Sequence, residues 1–336
     1  NAVALGKGEI RALRLRLPEG TASGQVIYAS SKKSVVTVDT QGNLCGRRTG
    51  TAVITAVTYN GKRAACKVKV YKAPKLLALS ALSMAVCVGE TVALKAKLPR
   101  KTASAISWQS SDTSIVTVDA QGGVRGVKAG TATVTARTFN GRTASCKVQV
   151  LAGKPPTQLA LNTEGLRLGK KEQFALVPRI GEGEETVYTY LTSNKRVAVV
   201  TAAGVIVARK AGTAKIGVRT HNGLSKIIRV KVTKAPKKVK VSPGTLILNA
   251  GQTGKLAAKL TKGSSSRLTW TSADPAVAAV DESGAVAALK AGATVVTARA
   301  FNGRKGAANV RVLAGKPPTK LTLNVTAVQL GLKERF

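Results

Sequence analysis

The sequence has few of the side chains on which most enzyme active sites depend. Among 336 residues it contains one histidine, 15 acidic residues against 54 lysines and arginines, and 3% aromatic residues. A histidine-based triad needs a base that a third side chain orients, and no glycine-rich loop precedes a helical pattern as phosphate-binding motifs require. The composition therefore predicts a protein that is not an enzyme, with neither a catalytic site nor a cofactor.

Long apolar segments are missing as well. No apolar run reaches the roughly 18 residues of a transmembrane helix, and the chain begins without the pattern of a signal peptide. Its first residues already match later parts of the chain, because Leu5-Gly6 corresponds to Leu168-Gly169 and to Leu330-Gly331. We therefore expect no membrane-spanning segment and interpret the sequence as a window from a longer array.

The dominant feature of the sequence is an internal repeat of about 80 residues. A Gly-Thr or Gly-Ala step recurs at Gly50-Thr51, Gly130-Thr131, Gly212-Thr213 and Gly292-Ala293. An Asn-Gly pair follows at Asn60-Gly61, Asn140-Gly141, Asn222-Gly223 and Asn302-Gly303. Both series advance by 80, 82 and 80 residues. Such a period is typical of a string of small domains, which usually forms a rod or a multivalent surface.

Each repeat carries the signature of short β-strands. Runs such as Leu13–Leu17 and Lys67–Val70 alternate apolar and basic residues, which indicates a sheet with one buried and one solvated face. The Asn-Gly pairs favour positive φ at both central residues of a tight hairpin. Four-residue turns that begin with Asp and end with Gly occur at Asp39–Gly42, Asp119–Gly122 and Asp281–Gly284, with Thr201 replacing Asp in the third copy. These features predict an all-β antiparallel sandwich in each repeat.

Two series of aromatic positions keep the repeat register. The first is Tyr28, Trp108, Tyr190 and Trp270; the second, directly before Asn-Gly, is Tyr59, Phe139, His221 and Phe301. We interpret both series as core or hairpin packing residues, because aromatic side chains dominate small cores. The alternative for the second series is a platform on which carbohydrate stacks.

Short proline-containing joins predict the domain boundaries. The joins contain Pro74, Pro155-Pro156, Pro236 and Pro317-Pro318, and proline stiffens a linker by fixing φ. We predict small sandwich domains at 1–72 (truncated at its start), 73–152, 153–234 and 235–314, with the start of a fifth at 315–336, arranged as a rod.

The residues of the second copy resemble those of a known domain family. Ile106-Ser107-Trp108, Ser110-Ser111-Asp112, Val116–Asp119 and Val127–Ala136 look like the bacterial immunoglobulin-like group 2 domain, and Leu268–Trp270 through Lys290–Gly292 repeat the pattern. The resemblance implies tandem immunoglobulin-like β-sandwiches in an extracellular protein of the bacterial or phage surface, as in intimin- and invasin-like adhesins. The family has no common active site, so the resemblance assigns no functional residue.

The cysteines allow two interpretations. They lie in the first half of the chain, at Cys45, Cys66, Cys87 and Cys146. Cys66 and Cys146 share a repeat position at which the other copies place Ile228 and Ala308, which favours small core residues. The alternative is two disulfides within domains, Cys45–Cys66 and Cys87–Cys146, as in a secreted protein. No cysteine spacing resembles a zinc site, and one carboxylate per turn is too few ligands for calcium, so we expect no metal site.

The net charge of +39 predicts an anionic partner. Such a field attracts polyanions over roughly a Debye length, although the charge could also serve solubility alone. Ten basic positions recur at or beside equivalent places in the repeat and are the candidate polyanion-binding residues: Arg48, Lys128, Lys210 and Lys290 before the Gly-Thr or Gly-Ala step; Arg137, Arg219 and Arg299 two residues before the ring; and Arg63, Arg142 and Arg304, which follow or nearly follow Asn-Gly. The acidic cluster Glu182, Glu184 and Glu185 is interpreted as a solvated loop, or as an intermolecular contact.

Three functions follow as hypotheses. The leading one is a stiff, non-catalytic segment of a secreted bacterial surface protein that binds anionic polymers or glycans through many weak electrostatic contacts. The second is a self-assembling extracellular filament or surface-layer component, in which copies of the chain add to exposed sheet edges. The third is a phage-particle or nucleic-acid-associated protein. It ranks last because the aromatic rings, which would have to be exposed to stack on a single strand, are expected to be buried; base-specific readout is also unlikely, since no groove-reading helix is evident.

Overall fold

The protein consists of β-strands joined by turns. A computed structural model describes residues 2–315 and Lys320; these contain 34 strands and no helix. The all-β prediction is confirmed. The chain separates into two compact units, one of Asn1–Ala160, Arg179–Thr189 and Arg219–Ser225, the other of Leu161–Pro178, Tyr190–Val218 and Lys226–Phe336. Apart from Gly315 and Lys320, the predicted fifth domain at 315–336 lies outside the described residues, and the rod arrangement stays a prediction.

The same seven strands recur in order in each copy, and the second, third and fourth copies add a two-stranded sheet. The first copy contains β1 (Ala2–Gly6), β2 (Ile10–Ala12), β3 (Val26–Ser30), β4 (Val36–Val38), β5 (Asn43–Gly46), β6 (Gly50–Thr58) and β7 (Arg63–Tyr71). The second contains β8 (Ala78–Leu79), β9 (Ser83–Cys87), β10 (Thr91–Ala93), β11 (Ala96–Lys97), β12 (Ile106–Ser110), β13 (Val116–Val118), β14 (Gly123–Gly126), β15 (Gly130–Thr138) and β16 (Thr143–Leu151). The third contains β17 (Ala160–Leu161), β18 (Gly165–Gly169), β19 (Gln173–Ala175), β20 (Pro178–Arg179), β21 (Thr189–Thr192), β22 (Ala198–Val200), β23 (Val205–Ala208), β24 (Gly212–Arg219) and β25 (Ser225–Thr233). The fourth contains β26 (Val239–Ser242), β27 (Thr245–Asn249), β28 (Thr253–Lys255), β29 (Ala257–Leu260), β30 (Leu268–Ser272), β31 (Ala278–Val280), β32 (Ala285–Ala288), β33 (Gly292–Ala300) and β34 (Lys305–Leu313). The added two-stranded sheets are β8-β11, β17-β20 and β26-β29, respectively.

Each copy pairs a four-stranded sheet with a three-stranded one. In the first copy the orders are β1-β7-β6-β3 and β2-β5-β4. The long strands β6 and β7 form an antiparallel hairpin, and β1 lies parallel to β7 with Leu5 opposite Val70. The other copies repeat both sheets: β9-β16-β15-β12 with β10-β14-β13, β18-β25-β24-β21 with β19-β23-β22, and β27-β34-β33-β30 with β28-β32-β31. The predicted two-sheet unit is therefore present four times.

Aliphatic side chains fill the space between the two sheets. In the second copy the buried cluster includes Val86, Leu94, Val116, Val134 and Val148, and clusters of the same composition occupy the first and fourth copies. Along β16 the buried valines alternate with exposed Lys147 and Gln149, as period-two patterning requires. The cores are therefore built mainly from Val, Leu, Ile and Ala, with few aromatic side chains.

The Asn-Gly hairpins differ from the predicted geometry. Only the glycine has positive φ, for example 81° at Gly141, whereas we expected it at both central residues. The Gly141 N–H donates to the Thr138 carbonyl at 3.0 Å, and the Thr138 N–H donates to the Arg142 carbonyl at 2.9 Å. This is a three-residue loop in which a turn is followed by a left-handed glycine. The first of the three loop residues is the ring position.

The first aromatic series packs against the Asp turns. A Cβ built on Gly122 would stand 2.8 Å from Cζ2 of Trp108, and one on Gly284 would stand 2.9 Å from the same atom of Trp270. Tyr190 meets Gly204 in the same way. Since these turn glycines also have positive φ, the ring and the turn specify one another, and the packing prediction for this series is confirmed.

None of the four cysteines, all of which lie in the described part of the chain, forms a disulfide. Cys87 lies opposite Leu151 on β16, five residues from Cys146, a separation of about 16 Å along the strand. Cys45 and Cys66 belong to different sheets, which pack about 10 Å apart. A disulfide needs Cα atoms within about 7 Å, so the fold does not bring together either predicted pair. Cys146 is fully buried, as a core residue should be, and burial raises the pKa of its thiol.

Candidate functional site

The ten candidate basic residues are all exposed. Four of them occupy one loop position before the second-to-last strand of each copy: Arg48, Lys128, Lys210 and Lys290. Their backbone N–H groups donate to the carbonyls of Val35, Ile115, Val197 and Val277, respectively, at 3.2–3.3 Å. The same backbone hydrogen bond in every copy therefore holds these four side chains at equivalent places on the surface of their copies.

The other candidate residues surround the Asn-Gly loop. A Cβ built on Gly141 would stand 3.9 Å from an Nη atom of Arg137, and the equivalent distance from Gly223 to Arg219 is 3.5 Å. Arg142 follows the same loop, and Arg63 and Arg304 lie at or next to the start of the strand after it. In each copy these arginines therefore lie near the hairpin end of the four-stranded sheet.

Few of the positive charges in the described part of the chain are paired. Lysine or arginine forms an ion pair at two places there, Arg11 with Glu9 and Arg267 with Glu172. The turn carboxylates are used within their own turns: Asp281 accepts the N–H groups of Ser283 and Ala285, both at 2.8 Å. None of the ten candidate cations forms an ion pair in this part of the chain.

The acidic residues Glu184 and Glu185 have structural roles that the sequence did not reveal. Glu184 accepts hydrogen bonds from the N–H and hydroxyl of Thr157 at 2.9 and 2.6 Å, and these bonds, the hydroxyl first, lower the pKa of Glu184. The side chain of Glu185 accepts the Gly153 N–H at 3.0 Å. Glu185 is exposed and Glu184 is partly exposed, as expected of a solvated loop, but both side chains also hold the preceding join through these hydrogen bonds.

The second aromatic series marks contacts between successive copies. A Cβ built on Gly6 would stand 2.5 Å from the ring of Phe139, and one on Gly169 would stand 2.7 Å from the ring of Phe301. Each of these two rings covers the glycine that ends a strand of the preceding copy, Gly6 at the end of β1 and Gly169 at the end of β18. Tyr59 of the first copy, by contrast, is 75% exposed. Hairpin packing alone does not describe them, because each described contact joins two copies.

A buried glutamate accompanies two of these contacts. Glu9 accepts the Gly6 N–H at 2.7 Å and the Ala105 N–H of the next copy at 2.8 Å. Glu172 accepts the Gly169 N–H at 2.8 Å and the Arg267 N–H at 2.9 Å. Sequence reasoning missed these residues, although a glutamate three residues after the strand-end glycine was a visible signal.

The equivalent position between the second and third copies has different chemistry. Cys87 stands where Gly6 and Gly169 stand, and His221 stands where the rings stand. The Nε2 atom of His221 lies 3.8 Å from Sγ of Cys87 and 3.0 Å from Oε2 of Glu90. Burial, with smaller contributions from Glu90 and Glu185, raises the pKa of Cys87 to about 11. One thiol, one carboxylate and one imidazole thus converge, where we expected no metal site.

A family model matches two of the four copies. Residues 77–148 and 235–312 match the bacterial Ig-like domain (group 2). Two of the four copies are bacterial Ig-like domains. They are the second and fourth copies, which carry Trp108 and Trp270, and together with the repeated sheets they support a tandem array of Ig-like sandwiches. The resemblance noted in the sequence is confirmed. Such domains are typically structural or adhesive modules.

The chain matches parts of two larger curated relatives. Over 140 residues, 40% of the chain, the sequence is 34% identical to an uncharacterised protein of Clostridium acetobutylicum, of which it covers 14%. Over 94% of the chain it is 24% identical to Ice-binding protein 1 of Shewanella frigidimarina, of which it covers 37%. The chain therefore spans well under half the length of either relative.

Solved structures of tandem-domain proteins are similar in part. Drosophila N-cadherin EC1-4 matches 94% of the chain and 98% of its own length at 15% identity, with a TM-score of 0.24. The surface-layer protein SbsC matches 94% of the chain and 54% of its own length at 16% identity, with a TM-score of 0.25. A search of the described residues finds no helix that could cross a membrane.

Proposed function

We propose that this chain is a structural, non-catalytic segment of an extracellular bacterial surface protein, and that it attaches to anionic polymers or glycans through multivalent electrostatics. The Ig-like family supports the surface role. The observation that carries the binding role is the recurrence of ten exposed cations at matched positions in successive copies, without ion pairs in the described structure.

Multivalency explains why weak contacts suffice. A single exposed ion pair contributes at most about 1 kcal/mol. Contacts that recur along a linked array add through effective concentration, and each cation that replaces a counterion on a polyanion releases that counterion. A polymer with evenly spaced anionic groups, such as teichoic acid or a sulfated glycan, is the partner that repeated cations suit best.

The test separates position from total charge. In one variant the ten candidate residues become glutamine. In a matched variant ten other exposed cations are changed: Lys32, Lys33, Lys95, Lys97, Lys195, Arg196, Lys237, Lys240, Lys259 and Lys262. Both variants have a net charge of 39 − 10 = +29. We expect the first to lose at least about tenfold more affinity for heparin or teichoic acid.

Two outcomes would contradict the proposal. Equal losses in the two variants would show that charge matters and that these positions do not. Unchanged binding in both variants would remove the electrostatic role altogether. Electron microscopy of the purified protein tests the second candidate function, a self-assembling filament, which the exposed sheet edges favour.

A further inference from the structure

The cluster of Cys87, Glu90 and His221 has the ligand set of a transition-metal site. Sγ, a carboxylate oxygen and an imidazole nitrogen from these residues all lie within 4.8 Å of one another. Around a tetrahedral ion with bonds of about 2.0–2.3 Å, ligand atoms stand roughly 3.3–3.6 Å apart. The observed separations of 3.8 Å (Cys87 to His221) and 3.0 Å (His221 to Glu90) require only small side-chain adjustments.

Comparison with the other two described contacts between copies shows that two residues have changed together. At those contacts a glycine meets a phenylalanine, and the glutamate is fully buried, with side-chain exposure of 0% for both Glu9 and Glu172. Here the glycine is Cys87, the ring is His221, and Glu90 has 16% side-chain exposure. Cys87 still donates its N–H to Glu90 at 2.8 Å. The chain's single histidine has therefore been placed beside a thiol and a carboxylate.

The surroundings of His221 suit metal ligation through Nε2. Oγ1 of Thr186 lies 2.7 Å from Nδ1 and accepts the backbone N–H of His221 at 3.1 Å. In the tautomer with the proton on Nδ1, that N–H donates to Thr186 and the lone pair of Nε2 faces Cys87 and Glu90. A hydrogen bond to the outer ring nitrogen is the usual means by which a protein orients a histidine ligand. The side chain of His221 is only 3% exposed, so this orientation is well held.

We propose that Cys87, Glu90 and His221 bind one Zn²⁺ ion, with water in the fourth position. Binding forms a bond between zinc and Sγ of Cys87, breaks the S–H bond and releases the proton to solvent, with no change in oxidation state. A thiolate and an imidazole select zinc over calcium or magnesium, which prefer oxygen ligands. The ion would tie the Asn222-Gly223 hairpin of the third copy to the end of β9, in place of the apolar contact that a phenylalanine makes elsewhere.

Cobalt provides a direct test. Metal-free, reduced protein is titrated with Co²⁺, and we expect one ion per chain, a thiolate-to-cobalt charge-transfer band, the visible spectrum of four-coordinate cobalt, and displacement by Zn²⁺. The double variant Cys87→Gly/His221→Phe restores the pair found at the other two contacts and should fold. It should lose the charge-transfer band and bind Zn²⁺ at least 100-fold more weakly.

Two further variants keep the test decisive. Cys87→Ser removes the soft ligand by changing one atom and should abolish the charge-transfer band. Cys66→Ser removes a thiol outside the cluster and should leave the spectrum unchanged. The proposal is overturned if the wild-type protein shows no charge-transfer band, if the double variant binds zinc as tightly as wild type, or if Cys66→Ser removes the band. In those cases His221 and Glu90 form a metal-free hydrogen bond.

Discussion

Replacing Gly122 by alanine tests whether the Trp108 ring and the Asp turn specify each other. Gly122 has φ of +85°, and an added Cβ would stand 2.4 Å from the Leu94 carbonyl oxygen and 2.8 Å from the Trp108 ring. The left-handed conformation costs a residue with a Cβ roughly 1–2 kcal/mol, and overpacking costs roughly 1–3 kcal/mol more. We therefore expect Gly122→Ala to lower the free energy of unfolding of the second copy by about 2–5 kcal/mol.

Gly141 provides the matched control. Its φ is +81°, but the nearest atom to an added Cβ is an Nη of Arg137 at 3.9 Å. Gly141→Ala should therefore cost the conformational part alone, about 1–2 kcal/mol. Urea unfolding is followed by Trp108 fluorescence in a Trp270→Tyr background, since tyrosine stands at that position in two copies. Equal destabilisation by the two substitutions would refute the packing argument.

Three further predictions concern acid stability, the joins and the proposed metal site. Hydrogen bonds, first from the Ser283 hydroxyl, hold the pKa of Asp281 below its usual 3.8. The stability that this carboxylate contributes is complete above that value and is lost as the pH falls below it. The urea midpoint of Asp281→Ala should therefore fall less than that of the wild-type protein between about pH 5 and about pH 2, and an equal fall would contradict this. The Asn302 side-chain amide donates a hydrogen bond to the Pro236 carbonyl of the preceding join at 2.9 Å. Asn302→Ala should therefore lower the free energy of unfolding of the fourth copy by about 1 kcal/mol, measured by Trp270 fluorescence in a Trp108→Tyr background; an unchanged value would show that this hydrogen bond does not stabilise the copy. Thr186→Val should weaken Zn²⁺ binding about 10–100-fold in a chelator competition, and wild-type affinity would show that Thr186 does not orient His221.

The repeat made most of the fold predictable from sequence. Turn glycines, alternating strands and aliphatic cores are local features, so four copies in register reinforce one interpretation. One exception was Leu13–Leu17, whose alternating pattern predicted a strand although β2 ends at Ala12 and β3 begins at Val26. Another was the Asn-Gly loop, where only Gly141 and its equivalents have positive φ. Sequence alone does not distinguish a two-residue hairpin from a three-residue loop with a bulge, because both accept Asn-Gly.

The contacts between copies could not be predicted in the same way. Cys87 and His221 are separated by 134 residues and belong to different copies, so no motif spacing indicated that they meet. Aligning the copies would have shown Gly6 and Phe139 replaced together by these two residues, but only the structure shows that the two positions touch. The basic positions, by contrast, were readable from sequence, since exposure follows from their place in loops and on strand faces.

The salt dependence of polyanion binding tests the central functional claim most directly. Affinity for heparin or teichoic acid would be measured by calorimetry across a series of sodium chloride concentrations. If six or more cations of the array engage the polymer, the logarithm of the affinity should fall with the logarithm of salt with a slope of about −4 or steeper. A slope near zero, or no binding at about 50 mM salt, would contradict the account.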